Sequence, residues 1–176
     1  MRNSLLAAAL LWTAATAGWA APKEFPMPTR SESVSELFRC VVPEDWRSEA
    51  KPAPDRGIRY TDESMAIEVI RYGLKDSKYP TPERFLESLR TGGVKLDKAG
   101  AVLVSGQDGM SYRRQYKIGG GDGPVGRTEW IFEEYVVLPQ KGSFWVLKFE
   151  SPSPVHQSEP EGADLWRRFL KGFRLG

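Results

Sequence analysis

The single cysteine, Cys40, is the first residue whose type could support chemistry; it lies in LFRCVVPEDW, residues 37–46. A nucleophilic cysteine needs a lowered pKa and usually a neighbouring base. The only histidine, His156, lies far along the chain, and no sequence feature places it near Cys40. Phe38, Cys40 and Val42 alternate along one strand face. We therefore expect a buried thiol that packs as a small apolar group, with catalysis as the alternative.

Metal and phosphate binding have little support in the sequence. A zinc site needs three or four ligands, and the chain offers one cysteine and one histidine. The glycine-rich stretch GGGDGPVG, residues 119–126, lacks the Lys–Ser/Thr end of a phosphate-binding loop, and strand-like sequence follows it. Neither this stretch nor SEPEGAD, residues 158–164, matches a calcium-binding EF-hand loop. We predict a surface loop at 119–126 and no metal or cofactor.

Two adjacent carboxylates, Glu133 and Glu134, are candidates for general acid and base catalysis. Neighbouring residues of a strand point to opposite faces, so the two cannot flank one substrate bond. If QKG, residues 140–142, closes a hairpin, Lys148 lies opposite Glu133 or Glu134. This arrangement predicts a cross-strand ion pair that stabilises the sheet. No G-x-S-x-G motif accompanies these residues, and one histidine leaves little room for a catalytic triad.

Arginine and aromatic residues on the predicted strands form a more promising set, because both types are enriched at binding hot spots. The full set is Trp46, Arg59, Tyr60, Arg71, Tyr72, Tyr112, Arg113 and Arg114. From it we predict binding residues at Trp46, Arg59, Tyr112, Arg113 and Arg114. The alternative is that the arginine stems cover apolar surface while their charged ends reach water.

The apolar patterns predict the elements that position these residues. A strand at 37–42 ends at Pro43, and a hairpin follows over 57–73. Thr81 caps a helix that begins with Pro82. Four strands and a closing amphipathic helix over 158–175, with Ser158 and Glu161 in capping-box spacing, complete the order.

This order predicts an α+β fold. The last hairpin is apolar on both faces, as in central strands that are covered on both sides. We therefore expect one mostly antiparallel sheet of about six to seven strands with a helix layer on each face, an α/β/α sandwich.

The N-terminal sequence and the charge indicate where such a domain works. Residues 1–20 read as a secretory signal peptide cut after Ala20, with a cut after Ala17 or an uncleaved anchor as alternatives. We expect a flexible leader at 21–35 and one domain at 36–176. Cys40 lies too far from the apolar run to be a lipid-anchor cysteine. The net charge of +2 argues against nucleic acid as a partner.

Three stretches together resemble the PsbP-like domains: LFRCVVPEDW, then TPERFLESL at 81–89, and FLKGFRL at 169–175. This group includes photosystem II extrinsic proteins, bacterial DcrB-like periplasmic lipoproteins and a small eukaryotic Ran-binding protein. The resemblance covers about residues 36–175. It implies an α/β/α sandwich and a non-catalytic role in binding or assembling other proteins. Unlike DcrB-like members, this chain has no lipid-anchor cysteine, and its APKEF start differs from the long N-terminal region of the photosystem proteins.

These observations lead to one expected function and two alternatives. We expect an exported, periplasmic or secreted protein that is monomeric, not an enzyme, and binds another envelope protein. The first alternative is a small secreted enzyme that uses Cys40 or carboxylates. The second is a domain that holds a small apolar ligand between sheet and helix.

Overall fold

The computed structural model describes residues 28–62, 64–119, 129–152 and 160–176. The predicted signal peptide, the first part of the leader, His156, Ser158 and nearly all of the 119–126 loop lie outside these ranges. The described strands are β1 (Thr29–Val34), β2 (Phe38–Pro43), β3 (Arg47–Ala50), β4 (Arg56–Thr61), β5 (Ala66–Tyr72), β6 (Leu96–Val104), β7 (Gln107–Ile118), β8 (Glu129–Gln140), β9 (Ser143–Pro152) and β10 (Arg174–Leu175). The described helices are α1 (Pro82–Leu89), a short 3₁₀ turn (Thr91–Gly93) and α2 (Pro160–Gly172).

Seven of the strands form one antiparallel sheet in the order β3-β4-β5-β9-β8-β7-β6. The central strands β5 and β9 are buried on both faces, which explains why their sequences are nearly continuously apolar. A second sheet of three strands has the order β1-β2-β10. The predicted α+β class and the antiparallel central sheet are confirmed.

The two helices cover opposite faces of the central sheet. Phe85 and Leu89 of α1 pack with Tyr72 and Phe144 on one face. On the other face, α2 and β2 pack against a separate core cluster that includes Val69 and Leu147. Because Val69 and Ile70 are neighbours in β5 but belong to different clusters, the strand alternation separates the two layers. The predicted sandwich is confirmed.

Helix α1 begins as the sequence indicates. The Thr81 hydroxyl accepts a hydrogen bond from the Arg84 backbone N–H at 3.4 Å, and Pro82 occupies the first turn. Helix α1 ends at Leu89 and is followed by the 3₁₀ turn Thr91–Gly93, in which Gly92 has a φ of 78°. This positive φ suits glycine and prevents the chain from continuing as a helix beyond the turn.

Three strands were not predicted from the sequence, and one of them lies in the leader that was predicted to be flexible. Residues 29–34 form β1, which pairs antiparallel with β2. The sequence TRSESV has a single apolar residue, Val34, which is half-buried against the core under α2. The strand is otherwise held by backbone pairing and by Arg30, whose guanidinium donates to the Trp46 carbonyl at 2.7 Å. The other missed strands, β3 and β10, are short and lie at sheet edges.

The β8–β9 turn corrects a predicted register. Gln140 pairs with Ser143, so the loop contains two residues, Lys141 and Gly142, instead of three. Gly142 has a φ of 72°, as such a tight turn requires. Lys148 therefore lies opposite Tyr135 and reaches Glu133 diagonally, with Nζ 2.8 Å from Oε1. The predicted ion pair exists, but its register was wrong.

Candidate functional site

The five predicted binding residues do not form one surface. Trp46 is only 2% exposed and belongs to the core under α2. Tyr112 is half-buried against the core under α1. Arg113 and Arg114 are neighbours in β7, so their side chains leave opposite faces of the sheet. Arg59 lies on β4 in a charged cluster described below.

Arg113 lines an open cleft of about 480 Å³ between the sheet and α2. The strand register brings two other lining residues next to β7. Asp97 of β6 pairs with Arg113, and Phe132 of β8 pairs with Gln115. Ala163 of α2 lines the cleft from the helix side. The complete described lining is Asp97, Ala99, Arg113, Arg114, Gln115, Phe132 and Ala163. The cleft thus combines charged, amide and apolar groups on three strands and one helix.

The Arg113 guanidinium is held in place but remains accessible. Its Nε lies 2.9 Å from Oε2 of Glu134, a side chain that is nearly buried. The Arg113 side chain itself is 52% exposed. A guanidinium carries five N–H donors, and this contact uses one of them. Arg113 can therefore donate to a carboxylate or carbonyl that enters the cleft.

On the opposite face, Glu133 is the centre of a buried charged cluster. The Glu133 side chain is 1% exposed and pairs with Arg114 and with Lys148. It also accepts a hydrogen bond from the Tyr135 hydroxyl at 2.6 Å. The Arg114 guanidinium in turn donates to the Leu89 carbonyl at the end of α1, at 3.1 Å. Every oxygen of Glu133 is therefore occupied, and the carboxylate has no free edge for a substrate.

This cluster extends across the sheet to β5 and β4. Lys148 contacts Glu150 at 2.6 Å, and Arg59 bridges Glu150 and Glu68. Lys51 reaches Glu68 at 2.8 Å. We call this set the charged belt, and its members are Lys51, Arg59, Glu68, Arg114, Glu133, Lys148 and Glu150.

The mutual pairing in the charged belt decides the protonation of its members. Burial alone raises the pKa of Glu133, but the charges of Lys148 and Arg114 outweigh it and leave this pKa below its ordinary value. The pKa of Glu68 is lowered in the same way, by Lys148 and Lys51 against the effect of burial. Burial lowers the pKa of Lys148, but Glu133 and Glu150 raise it above normal. All three groups are charged near neutral pH, as in a structural ion-pair network.

The environment of Cys40 is that of a core residue. The side chain is buried, and its Sγ lies 3.6 Å from the Tyr60 hydroxyl. Burial raises the pKa of the thiol to about 11. A reactive cysteine requires the opposite shift. The burial predicted for Cys40 is confirmed.

Sequence reasoning missed most of the cleft. Asp97, Gln115, Phe132 and Ala163 belong to four different elements, and only the strand register and the placement of α2 bring them together. Of the predicted binding residues, Arg113 and Arg114 line the cleft. In the ranges that the structure describes, no group of three or more metal-ligating side chains is present. Within the same ranges, no helix is long and apolar enough to cross a membrane.

The fold defined by the sheet and the two helix layers has relatives among solved structures. No protein-family model matches the sequence, and no characterised protein matches it by sequence. The Ran-binding protein Mog1p of Saccharomyces cerevisiae matches with a TM-score of 0.50 at 11% identity, over 85% of this chain and 96% of that protein.

Two further structures are similar at lower scores. Cyanobacterial PsbP (CyanoP) from Synechocystis matches with a TM-score of 0.49 at 13% identity, over 91% of this chain and 99% of that one. LpqN of Mycobacterium tuberculosis, involved in cell envelope biogenesis, has a TM-score of 0.46 at 17% identity, over 86% of this chain and 87% of its own. Identities this low show a shared fold alone. The match to Mog1p, a Ran-binding protein of the kind named in the sequence resemblance, confirms that this chain has the PsbP-like fold.

Proposed function

We propose that this protein is an exported, non-catalytic accessory module that binds another protein of the cell envelope through the Arg113 cleft. The observation that carries the proposal is the half-exposed Arg113 guanidinium, fixed on Glu134 at the wall of an open cleft. Arginine beside an aromatic side chain such as Phe132 is a common composition of protein-binding surfaces. Export rests on the signal-peptide pattern of residues 1–20.

The non-catalytic part of the proposal is supported by the state of the reactive side chains. The thiol of Cys40 is buried and has a raised pKa. Glu133 is fully engaged by its own neighbours, and Glu134 pairs with Arg113 on the other face of the sheet. Catalysis by a cysteine or by paired carboxylates requires such groups to be accessible and close together.

Site-specific photo-crosslinking in the source cells tests the partner and the surface together. A photoreactive residue at Gln115, inside the cleft, is compared with one at Arg84, an exposed position on α1. We expect one recurrent protein adduct from the Gln115 position and none from Arg84. An Arg113→Glu substitution should abolish that adduct, because it reverses the charge at the cleft wall.

The controls separate a lost partner from a lost fold. The Arg113→Glu protein must keep its circular dichroism spectrum and its melting temperature to within a few degrees. Cell fractionation of the same strain reports whether the protein is exported. An adduct that forms equally from both positions, or that survives Arg113→Glu, would contradict binding at the cleft.

A further inference from the structure

A second concavity lies on the other side of α2, between this helix and strands β1 and β2. Its volume is about 330 Å³. Val41 and Pro43 of β2 and Leu165 of α2 supply apolar lining. The helix approaches closely here, since a Cβ placed on Gly172 would meet Val41 Cγ2 at 3.1 Å. The groove therefore has closely packed, largely apolar walls that a larger residue at position 172 would narrow.

The charged residues of this groove are all cationic among its described lining residues: Arg168, Lys171 and Arg174. The three side chains are exposed. Arg174 is also oriented, because its Nη1 donates to the carbonyls of Lys171 and Phe173, each at 2.7 Å. An apolar groove with a cationic side is electrostatically complementary to a molecule with an apolar chain and an anionic head.

We propose that this groove binds a single-chain anionic amphiphile of the fatty carboxylate class. The volume lies at the low end of the roughly 300–1,000 Å³ typical of small-molecule sites, which suits one alkyl chain. Guanidinium groups at the rim match a carboxylate, which accepts two parallel N–H bonds from one arginine. The site is distinct from the Arg113 cleft, so the inference does not depend on the proposed function.

Binding of dodecanoate to the purified protein, measured by isothermal titration calorimetry below the micelle-forming concentration, tests this proposal. We expect one molecule per protein. Dodecyl maltoside, with the same chain and an uncharged head, should bind at least about tenfold more weakly, a ratio that corresponds to about 1.4 kcal/mol. Added salt should weaken dodecanoate binding, because exposed charges are screened.

Two double charge-reversal variants, one inside the groove and one outside it, test where dodecanoate binds. Arg168→Glu with Lys171→Glu changes two cations of the groove. Arg167→Glu with Lys141→Glu makes the same change in net charge at two exposed residues that are not part of its lining. We expect at least a tenfold loss of dodecanoate affinity in the first variant and an unchanged affinity in the second. Both variants carry their substitutions on the surface, and a melting curve verifies their fold.

Three results would overturn the proposal. Equal affinity for dodecanoate and dodecyl maltoside would show that the cations do not select the head group. Equal loss in the two charge-reversal variants would show a general charge effect. An acidic, leucine-rich peptide that displaces dodecanoate at a lower concentration would identify a peptide site instead.

Discussion

On the α2 face of the central sheet, most buried side chains from β4 to β8 are apolar or aromatic, with Tyr60, Val69, Leu147 and Val136 in one cluster. The buried polar side chains on this face include Glu134 and Ser151. On the α1 face, an apolar cluster lies under the helix. Beside it, the charged belt crosses strands β4, β5, β9, β8 and β7. The helices explain part of this contrast. Helix α1 has eight residues, whereas α2 has thirteen and the small sheet covers further area on its side. Where no helix covers the α1 face, cross-strand ion pairs close it.

The contrast implies two kinds of stability within one sheet. Burial of apolar area changes little with pH and salt, whereas ion pairs depend on both. A buried ion pair also costs desolvation, so its members stabilise the fold only as long as every partner is present. The α1 face is therefore expected to be the condition-sensitive side of this protein.

The largest expected effect is on the apolar face, at Phe169 of α2. The side chain is 0% exposed and stacks on Trp166 with ring centroids 5.5 Å apart. We expect Phe169→Ala to lower the free energy of unfolding by about 3–5 kcal/mol, because it leaves a cavity. Urea denaturation measures this change. Leu103→Ala, at a side chain that is 69% exposed, is the control and should stay within about 0.5 kcal/mol.

A substitution in the charged belt tests whether that belt behaves as buried structure. Lys148→Met removes the cation that contacts Glu133 and Glu150. We expect a loss of about 3 kcal/mol in the free energy of unfolding, because Glu133 stays buried with one cation fewer. Adding Glu133→Gln to Lys148→Met should recover part of the loss, as expected for directly coupled residues. A loss under about 1 kcal/mol for Lys148→Met would mean that the charged belt contributes no more stability than exposed ion pairs do. The proposed difference between the two faces of the sheet would then be wrong.

The pH dependence of stability should come from the α1 face. The pKa values of Glu68 and Glu133 are lowered in the folded protein, by Lys148 above all, against the effect of burial. Groups of this kind contribute stability that is present above the unfolded pKa of about 4.3 and is lost as the pH falls through the folded pKa. Lys148 has a raised folded pKa, so its contribution is present below about pH 10.4 and is lost at higher pH.

Urea denaturation from pH 7 down to the acid transition measures this dependence. We expect the free energy of unfolding of the wild type to fall below about pH 5, and the slope to decrease in Glu68→Gln with Glu133→Gln. Phe169→Ala should keep the wild-type slope at a lower absolute stability. The same acid slope in the glutamine variant would mean that other carboxylates cause the acid sensitivity.

The features that were predicted correctly from the sequence are determined by residues close together in the chain. Thr81 and Pro82 determine the start of α1 through their own backbone and hydroxyl, and Phe38, Cys40 and Val42 are buried as their alternation predicts. The pattern of apolar residues on both faces of the last hairpin was enough to predict a helix layer on each side.

The features that the sequence did not predict depend on contacts with residues far away in the chain. Strand β1 has no apolar pattern of its own and exists because β2 pairs with it. The partner of Lys148 depends on whether the hairpin loop has two or three residues, which the letters QKG do not decide. Asp97, Arg113 and Ala163 share a cleft because of register and helix placement, which no single segment encodes.

The smallest effect on stability is expected at Arg113, and its neighbour Arg114 provides the matched comparison. Both are arginines of β7 that pair with adjacent glutamates of β8, but Arg113 is 52% exposed and Arg114 is 18% exposed. Arg113→Ala should cost about 1–2 kcal/mol, between an exposed and a buried ion pair, because Arg113 is exposed and Glu134 is nearly buried. Arg114→Ala should cost about 3 kcal/mol, because Glu133 loses a partner in a buried site. Urea denaturation of the two single variants decides the matter: similar losses would mean that Arg113 is as structural as Arg114, and would remove the argument that the cleft keeps an arginine accessible for a partner.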